Sequence, residues 1–259
     1  MTNQDARSID FTPRPGAAPR SRRVVAHART EARLLVRNGE QLLLALVIPV
    51  GILLAGRLLN GRFGLHEETI APSVMALAIF STCFTSLAIG TGFERRYGVL
   101  ERLAGTPLGR SGLLAGKALA IIIVAVAQLV ILAAVAGVLG WRPHPDAAQW
   151  LVAVIGVPLA MLTFANLALA MAGRLRAEAT LGLANLIYLI GVTAGGIMWP
   201  VSAYPPALRW LVRALPTGAL GEVGRAWSAG GTTWWALPVL VAWAAASGLL
   251  ARKVFRWMS

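Results

Sequence analysis

Six stretches of this chain are apolar over eighteen residues or more: Leu42 to Leu59, Ile70 to Phe93, Ala118 to Trp141, Gln149 to Gly173, Thr180 to Trp199 and Thr233 to Ala251. At about 1.5 Å per helical residue, each is long enough to cross roughly 30 Å of hydrocarbon. Six transmembrane helices are therefore expected. Pro49 inside the first predicts a kink, because proline removes one ladder donor. Ahead of that span, Val24, Val25, Ala28, Ala32, Leu35 and Val36 recur as one helical stripe, with Arg22, Arg23, Arg29, Arg33 and Arg37 largely opposite. That pattern predicts an interfacial helix drawn to anionic headgroups and stopped near Asn38-Gly39, the alternative being a plain basic tail.

Two further segments are patterned without being spans. Between the second and third, Val99, Leu100, Leu103 and Ala104 alternate with Glu94, Arg95, Arg96, Glu101 and Arg102, which predicts a short amphipathic helix ended by Gly105. Thr106 and Pro107 then suit the cap and first position of the next helix. After the fifth span, Met198 to Trp227 is too apolar for an ordinary loop and too rich in proline for a crossing. Leu208, Leu211, Val212 and Leu215 share a face there, between Pro205-Pro206 and Pro216-Thr217-Gly218, so a re-entrant helical hairpin is expected in place of a loop lying on the surface.

Composition agrees with a membrane protein: of 259 residues, 57% are hydrophobic and 14% charged. Its net charge of +13 would suggest nucleic acid in a soluble protein, but placement matters more than the total here. With the amino terminus inside, eighteen of the 24 Lys and Arg residues fall on the cytoplasmic side. Both termini are expected to be cytoplasmic, and residues 1–20, with Pro13, Pro15, Gly16 and Pro19, to be a disordered tail before a membrane domain over 21–259. Trp141, Trp150, Trp199, Trp210, Trp227, Trp234, Trp235 and Trp257 lie near span ends as an interfacial belt, with Trp243 alone inside a span.

Reactive chemistry is sparse. His27, His66 and His144 lie outside the expected spans, Cys83 is the single cysteine, and neither a zinc-protease nor a serine-elbow motif occurs. No metal site is expected. The acidic residues, Glu67, Glu68, Asp146, Glu178 and Glu222 among them, fall in loops or at ends, which argues against a proton- or sodium-coupled carrier. In Gly112 to Ala118, Ser111 stands where a phosphate loop needs its first glycine and Ala118 where it needs a hydroxyl. Any ATP must bind elsewhere. Uncharged polar groups inside the spans, including Thr82, Gln128, Thr163 and Asn166, read as packing contacts, as do Gly191 with Gly195 and Met75, Met171 and Met198.

The stretch ERRYGVLERLAGTPLGR, from Glu94 to Arg110, resembles the loop between the second and third helices of ABC-2 type permeases, especially the daunorubicin-resistance-like branch. That family's pattern is Glu-Arg-Glu-x-Gly-Thr-Leu-Glu followed by Thr-Pro-Leu. Arg96 departs from it at the second acidic position and Val99 at the threonine. The resemblance covers nearly the whole chain, including the helix before the first span and the proline-rich hairpin before the last. It implies an all-α integral membrane fold with six transmembrane helices, an N-terminal interfacial helix, a cytoplasmic coupling helix and an extracellular re-entrant hairpin. It also implies a plasma-membrane permease subunit of an ATP-driven exporter for hydrophobic or amphipathic, drug-like or lipid-like substrates, hence efflux and multidrug resistance.

Two ABC ATPase subunits, which would bind ATP and magnesium, and a second permease copy or paralogue are the implied partners, beside membrane lipids and without nucleic acid. The chain itself is expected to be no enzyme and to hold no cofactor. Coupling to the ATPase falls on Glu94, Arg95, Arg96, Tyr97, Gly98, Leu100, Glu101, Arg102, Thr106 and Pro107. Charge pairing is expected from Glu94, Glu101 and the arginines, packing from Tyr97 and Leu100, and close approach at Gly98. ATP-driven closure of the partners would then rotate the first, second and fifth spans. A substrate path beside the second and fifth spans would use Ser81, Thr85, Asn185 and Tyr188. The competing readings are an exporter of a lipid-linked glycan or envelope component, a secondary carrier, a non-transporting scaffold, and a connector that is only a basic amphipathic loop.

Overall fold

The computed structural model describes residues 16–59 and 67–254, and every regular element among them is helical. Helix α1 (Arg20–Arg37) leads through Asn38 straight into α2 (Gly39–Leu58). A long rod follows, made of α3 (Glu67–Phe80), a π-helical turn (Ser81–Ser86) and α4 (Leu87–Arg96). Short α5 (Val99–Ala104) precedes α6 (Gly109–Val138), α7 (Ala147–Ala172) and α8 (Ala177–Thr193). A single 3₁₀ turn (Val201–Ala203), α9 (Pro206–Ala214) and α10 (Pro216–Ala229) form the hairpin before α11 (Ala236–Val254). Four helices, Glu68–Arg96, Gly109–Val138, Ala147–Ala172 and Ala236–Val254, are long and apolar enough to cross a membrane; Ala45–Leu58 and Ala177–Thr193 are shorter apolar helices.

Several boundaries differ from those expected. Helix α6 starts at Gly109, well before Ala118, so Lys117 lies within a helix. Thr106 does not cap it: its hydroxyl donates back to the Leu103 carbonyl at 2.7 Å and closes α5 instead. The fifth apolar helix stops at Thr193, where the chain turns through Gly196 at φ +83°, not at Trp199. The kind of start that local residues can dictate appears at α7, where Asp146 and Gln149 cap one another reciprocally. The tail expected over 1–20 falls outside the described residues as far as Pro15, and Arg20 opens α1. His66, Arg62, Arg256 and Trp257 also lie outside them.

The π turn was invisible to a helical-periodicity reading, and it sits where three spans meet. Pro49 has no N–H, so the Ala45 carbonyl one turn back loses its ladder donor. Gln128 of α6 supplies the replacement, its Nε2 donating to the Ala45 carbonyl at 2.6 Å while its Oε1 accepts from the Thr82 hydroxyl at 2.7 Å. Both side chains are buried. In hydrocarbon a freed carbonyl must find such a partner. Around this junction the core is built from Phe80, Phe84 and Phe164, with Phe80 and Phe164 centroids 4.8 Å apart. Gly191 leaves the space that the Phe80 ring fills.

At the opposite end from α5, Arg225 fastens the hairpin. It is 5% exposed, although its sequence context reads as a loop cation. Its guanidinium donates to the Gly196 and Ile197 carbonyls at 2.7 and 2.8 Å, to Ser73 of α3 at 3.2 Å, and to Glu222. Glu222 in turn accepts from the Val201 amide at 2.9 Å. The hairpin is thus sewn to α3 by one charge whose donors are nearly all used, which is what a buried guanidinium requires. Of the face expected on α9 from Leu208, Leu211, Val212 and Leu215, Val212 is buried while Leu208 and Leu211 are exposed, and α10 is buried along most of its length.

Replacing Gln128 with Leu should destabilise the fold by about 1–2 kcal/mol, since it orphans the Ala45 carbonyl. Adding Pro49→Ala, which restores the missing N–H, should recover part of the loss. Thermal unfolding of both variants and the pair in detergent checks this, and strict additivity would contradict the assignment.

Candidate functional site

The α4–α5–α6 connector is the site the chain's charge pattern singles out, and its residues separate into two sets. Leu100 is fully buried and Leu103 packs on the same core, so α5 is seated on the bundle by these two side chains. Val99, expected on that stripe, is exposed. Helix α4 ends at Arg96 with Tyr97 as its C-cap, and Gly98 at φ +70° turns the chain into α5, a left-handed conformation that glycine adopts without strain. A Cβ at Gly98 would meet only open space and the tip of Glu101, so the turn, not close approach within the chain, demands glycine.

The outward set is Arg96, Tyr97, Glu101, Arg102, Thr106 and Pro107. Tyr97 is 67% exposed and stacks on Phe93 at 6.2 Å. Arg96 pairs with Glu178 at the start of α8, an exposed contact of small energetic weight. The inward set is Glu94, Arg95 and Leu100. Arg95 donates to the Ala172 and Leu175 carbonyls at 3.2 and 3.3 Å and so closes the end of α7.

Glu94 carries the larger surprise. Its carboxylate lies 2.5 Å from the ammonium of Lys117, which also donates to Glu31 of α1 at 2.9 Å. Lys117 is 2% exposed. The pairing expected between Glu94 and a partner protein is therefore satisfied inside the chain. His27 completes the cluster, its Nε2 3.6 Å from the other Glu31 oxygen and its ring lying over Gly116. Burial pulls the His27 pKa below its ordinary value; nearby Lys117 adds to that and Glu31 opposes it. Interfacial helix α1 is consequently bound to α4 and α6 by charge, and its packed face holds His27 and Glu31 beside Val24, Ala28 and Leu35, while Val25 and Val36 are exposed.

The four residues named for a substrate path come together only in part. Ser81 and Thr85 lie on the π turn, and the Tyr188 hydroxyl hydrogen-bonds Ser81 while its ring stacks on Phe80 at 5.8 Å. Asn185 is exposed on the outer side of α8. Thr85 has a buried hydroxyl with no partner among the described residues. No group of three or more His, Cys, Asp or Glu residues suited to a metal occurs among the described residues.

A family model described as "ABC-2 type transporter" matches residues 22–226, from α1 through most of α10. The chain belongs to the ABC-2 type transporter family. It is accordingly the transmembrane permease component of an ABC transporter and not its ATPase, and permeases of this family typically work with ATPase subunits. No curated protein matches the chain. Within this ABC-2 domain the residues that periodicity missed are Lys117, Glu31 and His27. The signal was present: one lysine directly before an apolar run is an expensive residue that demands a partner.

Lys117→Met should cost about 2–5 kcal/mol, because it leaves Glu31 and Glu94 facing each other without a cation. Restoring neutrality with Glu94→Gln should recover part of it, as read by thermal unfolding in detergent. Because the His27 pKa is lowered on folding, the unfolded chain binds the extra proton, so stability should fall as pH drops through about 6.5. Replacing His27 with Asn should flatten that part of the pH profile of the unfolding temperature.

Proposed function

We propose that this ABC-2 permease is one half of an ATP-driven exporter that carries a hydrophobic or amphipathic substrate out of the cytoplasm or inner leaflet. Two such halves and two ATPase subunits complete it, with both termini and α5 on the cytoplasmic side of the plasma membrane. The observation that carries this reading is the exposed rim of Arg96, Tyr97, Glu101 and Arg102, standing on a helix whose other face is buried through Leu100. A rim with a large aromatic ring and both signs of charge is suited to a protein groove.

Movement of that rim has two rigid routes into the bundle. Through Arg95 it reaches the α7–α8 junction, and through Glu94 and Lys117 it reaches α6 and α1. Closure of the ATPases against α5 would then displace α4, the π turn above it and the neighbouring face of α8. Ser81, Thr85 and Tyr188 border that face, which favours it as the substrate path, while Asn185 stands on the outer side of α8. Glu94 acts in this scheme as a strut and not as a contact.

Arg102→Glu should lower transport and stimulation of the partner ATPase by at least about tenfold, because like charges placed across an interface cost several kcal/mol. Membrane insertion and the unfolding temperature should stay unchanged, since Arg102 is exposed. The complete transporter in vesicles, assayed for ATP hydrolysis and substrate efflux, checks both. Unaltered coupling would remove the rim from the mechanism.

A further inference from the structure

Between α3, α6, α7 and α10, at the end away from α5, lies a groove of about 540 Å³ with an apolar wall. Along α6 it runs from Val126 to Ala133 and reaches Trp141, just past the end of the helix at Val138. The twelve helical rises from Val126 to Val138 span about 18 Å. That is a little more than half of a roughly 30 Å hydrocarbon layer, the depth of one leaflet. Val126, Val130 and Val154 of its rim are exposed, so the groove is continuous with the apolar outer surface of α6 and α7.

Polar chemistry gathers only at the groove's upper end. Trp141, Trp150 and Trp227 pack together there, with Trp227 at 5.7 Å from Trp141 and 5.0 Å from Trp150, the ring type that settles at headgroup level. The Trp141 indole donates to Ser228 at 2.7 Å, but the buried Trp227 N–H has no acceptor among the described residues. Arg142 follows directly. Its Nη1 donates to the Gly137 and Trp141 carbonyls at 2.6 and 3.3 Å, which holds the guanidinium beside the end of α6 with its Nε and Nη2 unengaged among the described residues. A wall of hydrocarbon about one leaflet deep, a tryptophan cluster at its end and an exposed guanidinium one residue beyond Trp141 match, in order, an acyl chain, the headgroup boundary and a phosphate.

We propose that this groove is a phospholipid site, taking one acyl chain of a lipid in the adjoining leaflet, with its phosphate held by Arg142. The seated chain fills the space between α3 and α7 beside the Arg225-fastened hairpin. The site is separate from the Ser81–Tyr188 face on α8.

Photolabelling tests it in vesicles of phosphatidylcholine containing phosphatidylglycerol with a diazirine on one acyl chain. Label should concentrate on groove peptides bearing Val130, Ala133, Val154 and Val157, above the level on the exposed Leu186–Ile190 surface of α8. Filling the groove with Ala133→Phe and Ala153→Phe should cut groove label about tenfold and leave α8 label intact, as expected for a lost site. Arg142→Gln, an exposed change that leaves the core untouched, should lower phospholipid retained through detergent purification about tenfold, the weight of a charge-assisted contact. Groove label no higher than that on α8, label indifferent to the filling variants, retention unchanged in Arg142→Gln, or groove peptides cross-linked to a second copy in place of lipid would each overturn it.

Discussion

One buried ammonium organises the connector end of this permease. Lys117, hidden on α6, takes a carboxylate from α1 and another from the end of α4, and is itself almost wholly out of reach of water. Taking charge out of water is costly unless the geometry supplies opposite charge at contact distance, so the three helices can occupy only the arrangement that brings Glu31 and Glu94 to it. The amphipathic α1 is thereby an integral part of the bundle. Seating of α5 follows, because Glu94 stands just before the Gly98 turn that launches it.

A second constraint acts at the depth of the apolar layer. Pro49 frees the Ala45 carbonyl, Gln128 reaches across to it, and Thr82 on the π turn completes the chain of donors. The π turn contains both Thr82, facing this network, and Ser81, bonded to Tyr188 of α8. A turn with irregular hydrogen bonding that touches α6, α7 and α8 at once is a natural place for displacement at α5 to spread sideways. The far end is held differently, by Arg225 tying the hairpin to α3, so that the bundle is fastened by charge at both ends and by hydrogen bonds in the middle.

Much of this architecture is legible along the chain. Length and apolarity determine that the long helices belong in a membrane, since an unpaired backbone in hydrocarbon leaves helix as the only local answer. Asp146 with Gln149 determines where α7 begins, Gly98 where α4 gives way to α5, and Pro205-Pro206 with Pro216 where the hairpin helices start, each through a local backbone requirement. The connector's alternating charge marks a surface, and its likeness to ABC-2 permeases agrees with the family the chain belongs to.

Only the tertiary structure decided which of those charges face outward. Glu94 and Glu101 look alike in sequence, yet one meets Lys117 and the other is exposed, because their partners come from residues far along the chain. The same holds for Arg225 among the arginines, for Thr106 closing α5 when it was expected to open α6, and for the π turn, which packs against α7 and α8 and leaves no periodic trace. Local chemistry determines where helices start and stop; long-range neighbours decide whether a charge is a strut, a clamp or a surface, since desolvation is a property of the assembled interior and not of the residue.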